Sequence, residues 1–185
     1  MSSMFKLPNL FDYADANLTL EEPPSERGFK GRWVKTAQIN QNWALAALGY
    51  TKFQRSIIER ARLPLHLELS NTTFRVRTQG FRSFHTSYPL DGREISYPRR
   101  DGRPGSCRAR VLAYTNVSLT LSLDWDQPYG GTNIQTYKLQ TSNTDAPEAE
   151  YLLIENRIRV RAKDPEDGLS EEVVSHVKFK RLKCK

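Results

Sequence analysis

Leu65-His-Leu-Glu-Leu-Ser-Asn-Thr-Thr-Phe-Arg-Val-Arg-Thr78 is the stretch on which the fold turns. Leu65, Leu67 and Leu69 alternate with His66, Glu68 and Ser70; after a short polar break the pattern resumes as Phe74, Val76 and Thr78 against Arg75 and Arg77. A β-strand points successive side chains to opposite faces, so a period of two gives one apolar and one polar face. Two such runs around a polar turn are predicted to form an antiparallel hairpin. Moving outward, the same period recurs at residues 81–88, 94–97, 107–114, 119–125, 134–139, 151–162 and 173–182, with a shorter run at Gly31-Arg-Trp-Val-Lys-Thr36. Connections after Pro64 are too short for crossover helices, so sequence neighbours pair antiparallel. Pro104-Gly105, Gly130-Gly131 and Asp167-Gly168 mark turns, and residues 143–150 form a longer acidic loop. A meander of this length removes its edges by closing. The expected fold is mainly β, a closed ten-stranded antiparallel up-and-down barrel.

Before Pro64 the period changes. Trp43, Ala46, Ala47 and Tyr50 recur at offsets of three and four, which places them on one face of a helix of about two to three turns. Gly49 is placed to end it, because glycine takes the left-handed conformation without a Cβ clash. Thr51-Lys-Phe-Gln54 has the form of a capping box, and Phe53, Ile57, Ile58 and Ala61 make the apolar stripe of a second helix closed by Pro64. This helix-turn-helix is sized to lid a barrel rather than to cover an open sheet. Residues 31–182 therefore read as one barrel domain, residues 1–30 as an N-terminal extension and residues 183–185 as a basic tail. The extension's Phe5, Leu7, Leu10, Phe11 and Tyr13 are expected to pack on the barrel or on a partner.

The chain's 185 residues suffice for one core. They carry 28 Lys and Arg against 21 Asp and Glu, a formal charge of +7. The excess gathers at Arg93, Arg99, Arg100, Arg103 and Arg108, and again at Lys180, Arg181 and Lys183. Such clusters attract polyanions, so these residues are the candidate partner-binding surface for an acidic protein such as tubulin, or for RNA. RNA ranks second, because the aromatics do not interleave with the basic residues on one strand as a stacking platform requires. Cys107 and Cys184 cannot make a disulfide framework, although one bridge is open to them. With no apolar run long enough for a signal peptide or a membrane span, the expected location is the cytoplasm, and the sequons at Asn17, Asn71 and Asn116 read as ordinary polar positions.

The order strand, helix, turn, helix, then a ladder of strands, with Phe29-Lys-Gly-Arg-Trp33, Ala46-Ala-Leu-Gly49, Phe74-Arg-Val-Arg-Thr78 and Leu123-Asp-Trp-Asp126, resembles the intracellular fatty-acid-binding and cellular retinoid-binding proteins. The resemblance covers residues 29–182. It implies a lipid held inside the barrel, its carboxylate clamped by an inward Arg on a late strand and an Arg-x-Tyr pair on the last. A buried carboxylate needs such donors to replace its water. Here the implied lining positions hold Tyr137, Val177 and Phe179, which are not cations. A one-residue register slip would instead present Lys138, His176 and Lys178 to the cavity.

No Gly-x-Ser-x-Gly elbow, P-loop, dinucleotide fingerprint or metal-ligand spacing is present. Ser175 and His176 point to opposite faces of one strand, and Asp124 and Asp126 flank a tryptophan, so no catalytic residue and no cofactor is expected. The leading expectation is a non-enzymatic structural component of a large intracellular assembly, such as a microtubule-based axoneme in the cytoskeleton or cilium, because extra segments accompany a lost clamp. The alternative is an intracellular carrier of a fatty acid or other small hydrophobic ligand. An RNA- or ribosome-associated protein is the third.

Overall fold

The computed structural model describes residues 28–78, 83–101, 103–127, 130–141, 150–161 and 172–182. Its elements in chain order are β1 (Gly31–Ile39), α1 (Gln41–Ala47), α2 (Lys52–Arg60), β2 (Leu65–Leu69), β3 (Thr73–Thr78), β4 (Phe84–Pro89), β5 (Ile95–Pro98), β6 (Ser106–Tyr114), β7 (Ser118–Trp125), β8 (Gly131–Thr141), β9 (Glu150–Val160) and β10 (Val173–Arg181). The packing of residues 1–27, the tail at 183–185 and most of the acidic loop lie outside the described residues.

The deciding stretch forms β2 and β3, paired with Leu67 opposite Val76 and Leu69 opposite Phe74. All ten strands join one antiparallel sheet in the order β4-β3-β2-β1-β10-β9-β8-β7-β6-β5. Pairing of β1 with β10 brings the first and last strands together and curls the sheet into a barrel. Closure has one seam, because β4 and β5 are not hydrogen-bonded neighbours. Proline accounts for much of this: Pro89 ends β4, Pro98 ends the four-residue β5, and neither offers an N–H to a ladder.

One end of the barrel is closed by Phe29 and Trp33, both fully buried, with the Trp33 indole Nε1–H donating to the Phe29 carbonyl at 3.1 Å. Arg181 lies over the Trp33 ring at 4.2 Å and donates to the carbonyls of Gly28 and Lys30. The helices cover the other end. There Ala44, with Ala47 and Leu48, packs against Trp125, Ile158, Val160 and Val173 from the ends of β7, β9 and β10.

The capping box at Thr51 is complete: Gln54 N–H donates to Thr51 Oγ1, and Thr51 N–H donates to Gln54 Oε1 at 2.9 Å. Gly49 has φ of 74°, the left-handed conformation that ends α1. The lid's inner face departs from the expected stripes. Ala44 is its one buried residue, while Trp43, Phe53 and Ile57 are 73%, 75% and 53% exposed. Helices this short meet the barrel end along a single line of small residues, which leaves the larger apolar side chains outside. A β-bulge between Lys35 and Ala37 aims Lys35 Nζ at the last carbonyls of α2, Ile58 at 3.1 Å and Glu59 at 2.7 Å. A cation at a helix C-terminus is favourable.

Candidate functional site

The pleat fixes what the barrel wall presents inward. On β10, Ser175 and Val177 are buried and Phe179 packs against the core, with Val177 opposite Ile154 and Ser175 opposite Asn156 of β9. Val177 and Phe179 thus put hydrocarbon where the resemblance implies a clamp. The alternative cations take the outer face: His176 Nε2 stands 3.4 Å from Glu155, Lys178 Nζ lies 4.1 Å from the Tyr151 ring centre, and Lys138 is exposed. The register slip does not occur, because it would carry Val177 and Ile154 into water.

Tyr137 is buried and forms part of an aromatic bridge across the barrel. Its ring meets Phe74 edge-on at 5.1 Å, and Phe74 also contacts Phe29 at 5.8 Å and Tyr88 at 6.3 Å. β3 and β8 are five places apart in the sheet order, so the Phe74–Tyr137 contact joins opposite walls. Beside it the wall turns polar. Tyr137 OH donates to Gln135 Oε1 at 2.9 Å, and Gln135 and Asn133 both donate to Asn156 Oδ1, at 2.8 and 3.2 Å. Asn133 is 8% exposed, and its Oδ1 has no hydrogen-bond partner among the described residues; neither does the buried Thr78 Oγ1. A buried acceptor without a donor is costly, so this belt is short of donors.

The arginine-rich segment is divided by the fold. Arg99 is 8% exposed, donating through Nη2 to Asp101 at 2.5 Å and through Nη1 to the Asp126 carbonyl. Burial pushes the Asp101 carboxyl up, but its hydrogen bonds from Arg99 and from the Arg103 N–H outweigh this and hold it below the usual range. Arg103 reaches the lid, donating to the carbonyls of Leu48 at 2.7 Å and Gly49 at 3.1 Å, with the Tyr50 ring 5.5 Å from its guanidinium. Arg100 turns to the seam. From the end of β5 it donates to Thr86 Oγ1 and, at 3.1 Å, to Tyr88 OH on β4, with the Phe84 and Tyr97 rings at 5.8 and 5.1 Å. At the surface remain Arg93, beside Asp91; Arg108, paired with Asp124 at 3.2 Å; and Lys180. Lys183 lies outside the described residues. Four of the eight basic positions therefore serve the barrel itself, and the exposed three are dispersed over the β4–β5 connection, β6 and β10.

Asp124 and Asp126 also hold the fold. Asp124 bridges Arg108 and Arg161, and Asp126 accepts from the Ser106 N–H and hydroxyl at 3.0 and 2.8 Å, which holds its carboxyl low. Among the described residues no group of His, Cys, Asp and Glu is arranged to hold a metal ion, and no helix is long and apolar enough to cross a membrane. Sequence reasoning missed the inward turn of Arg100, because alternation cannot be carried past Pro98. Thr86 and Tyr88, polar atoms on the inward parity of β4, were the available signal.

No protein-family model matches the sequence, and no curated protein matches it. Solved structures do. Apo lipid binding protein 8 of Caenorhabditis elegans superposes with a TM-score of 0.62 at 14% identity, over 86% of this chain and 99% of that one. The barrel is a fatty-acid-binding-protein fold. A Schistosoma mansoni fatty acid binding protein in complex with arachidonic acid follows at 0.60 and 18% identity, with 86% and 99% covered. Human cRBP IV stands at 0.56 and 17% identity, with 86% and 100% covered. At these identities the likeness concerns the fatty-acid-binding fold alone, and the site must be argued from this chain's own residues.

Proposed function

We propose that the protein is a cytoplasmic carrier that takes one small, largely apolar ligand into the barrel beneath the two-helix lid. The observation that carries this reading is the inward face of the strands: a connected apolar cluster beside a polar belt whose Asn133 Oδ1 has no donor among the described residues. A barrel interior built only to pack would have no use for such an acceptor, whereas a ligand donor, or a water carried in beside an apolar ligand, would satisfy it. The arachidonic acid held by the Schistosoma mansoni protein supports the same use of this fold. The arginines that favoured an acidic partner are partly committed to the seam, the lid and the barrel end, which weakens the assembly reading.

One observation keeps a second reading in view. The Phe74–Tyr137 contact fills part of the lumen from wall to wall, as a scaffold docked on tubulin or another acidic surface would tolerate. Titration of the purified protein with decanol and with retinol, followed by tryptophan fluorescence and native mass spectrometry, separates the two. A saturable one-to-one complex is expected. No binding of any apolar probe, together with cosedimentation with polymerised tubulin, would replace the carrier with the scaffold.

A further inference from the structure

The guanidinium of Arg100 is partly buried, and no carboxylate pairs with it among the described residues. Its contacts are the Thr86 and Tyr88 hydroxyls and the Phe84 and Tyr97 rings. Arg99 and Arg103, one and three residues away, both share Asp101. A guanidinium carries five N–H donors, and these two hydroxyls use only part of that capacity. Hydroxyls and ring faces solvate a cation but do not neutralise it, and a shielded charge without a counterion is unfavourable.

The surroundings point inward. Thr86 and Tyr88 are 8% and 2% exposed, and Tyr88 and Tyr97 belong to the barrel core. Burial drives the Tyr137 phenol above its ordinary range, with the Arg100 charge pulling against it. Resting on the carrier reading above, we infer that the ligand is a monoanionic amphiphile whose carboxylate is held by Arg100 at the β4–β5 seam, beside the Tyr88 and Thr86 hydroxyls, with its apolar body along the Val177 and Phe179 wall. The head group then sits across the barrel from Val177 and Phe179 on β10. The same sequence explains both halves: β10 puts Val177 and Phe179 at the implied clamp positions, and the seam has a cation with no carboxylate partner among the described residues. A planar guanidinium engages a carboxylate through two parallel hydrogen bonds, a geometry that lysine cannot reproduce.

The test compares decanoate with 1-decanol, matched in chain length, on the wild-type protein and on Arg100→Met, by calorimetry at fixed salt. Wild type is expected to bind decanoate at least about ten-fold more tightly than decanol. Arg100→Met is expected to bring the two to parity while leaving decanol within about two-fold of its wild-type affinity. Equal affinities in wild type, or an acid preference that survives in Arg100→Met, would overturn the head-group site and leave the carrier intact. If neither compound binds wild type, the carrier reading falls and takes this site with it. Should Arg100→Met fail to fold, the wild-type protein alone decides, through the carboxyl resonance of bound [1-13C]decanoate. A neighbouring guanidinium keeps the carboxylate ionised below the pH at which the free acid protonates; titration at or above the free value overturns the site.

Discussion

Replacing Arg103 by alanine should loosen the lid without unfolding the barrel. Arg103 makes two charge-assisted hydrogen bonds to the carbonyls that end α1, Leu48 at 2.7 Å and Gly49 at 3.1 Å. Each such bond contributes about 1.5 kcal/mol when shielded. Here the guanidinium is 19% exposed, and both carbonyls belong to half-buried residues that regain water when it leaves. Halving the sum leaves about 1.5 kcal/mol for the pair of bonds. Asp101 is not stranded by the change, because Arg99 still holds it through Nη2 at 2.5 Å and Nε at 3.1 Å. The loss therefore falls on the lid, and about 1.4 kcal/mol corresponds to a ten-fold change in an opening equilibrium. Hydrogen exchange at the Leu48, Gly49 and Tyr50 amides, which bond back to Ala44, Ala46 and Leu45, reads that opening directly. These amides should exchange about ten-fold faster in Arg103→Ala, with β8 and β9 unchanged, and Arg103→Lys should fall between. Lid amides within two-fold of wild type, or an equal loss in β8 and β9, would refute the clasp.

Phe74→Ala removes the centre of the aromatic bridge and should cost about 3–5 kcal/mol, read as a lower urea midpoint; a cost under about 1 kcal/mol would show that the opposite walls do not lean on each other. Glu155 governs part of the acid response: its hydrogen bond from Arg157 holds its carboxyl below the ordinary 4.5 against opposing burial, with His176 adding to the effect. A depressed folded value means that this contribution is complete above about pH 4.5 and is lost as pH falls through the lower folded value, so Glu155→Gln should flatten the acid limb of a stability curve; a limb unchanged in slope would remove Glu155 from the account.

How far the sequence reached depends on what each pattern encodes. Period-two alternation reports which face of a strand meets hydrocarbon, so ten strands and their antiparallel order were legible, as were the Thr51 capping box and the glycine ending α1. The same alternation set Val177 inward and His176 outward once Ile154 stood opposite. Helical periodicity did worse. Trp43 and Phe53 lie on apolar stripes yet face solvent, because helices of 7 and 9 residues reach the barrel along one line only. Charge counting did worst. Arg99, Arg100 and Arg103 differ in burial and partner although they sit within five consecutive positions, and nothing in their spacing distinguishes a solvated guanidinium from one aimed at a neighbour's carbonyl. The seam was equally invisible, since a missing ladder between β4 and β5 is a property of the closed ring and not of either strand.

That missing ladder has a topological consequence. Among the described residues eight of the nine strand pairings join neighbours in sequence, and only β1 with β10 spans most of the chain. A circular permutant that begins at β5, links the end of β10 to the start of β1 and finishes at β4 would break no strand pairing. It would also turn every pairing into a local one. Because loop-closure entropy slows folding in proportion to such distant contacts, the natural chain order carries a kinetic burden that the architecture itself does not demand.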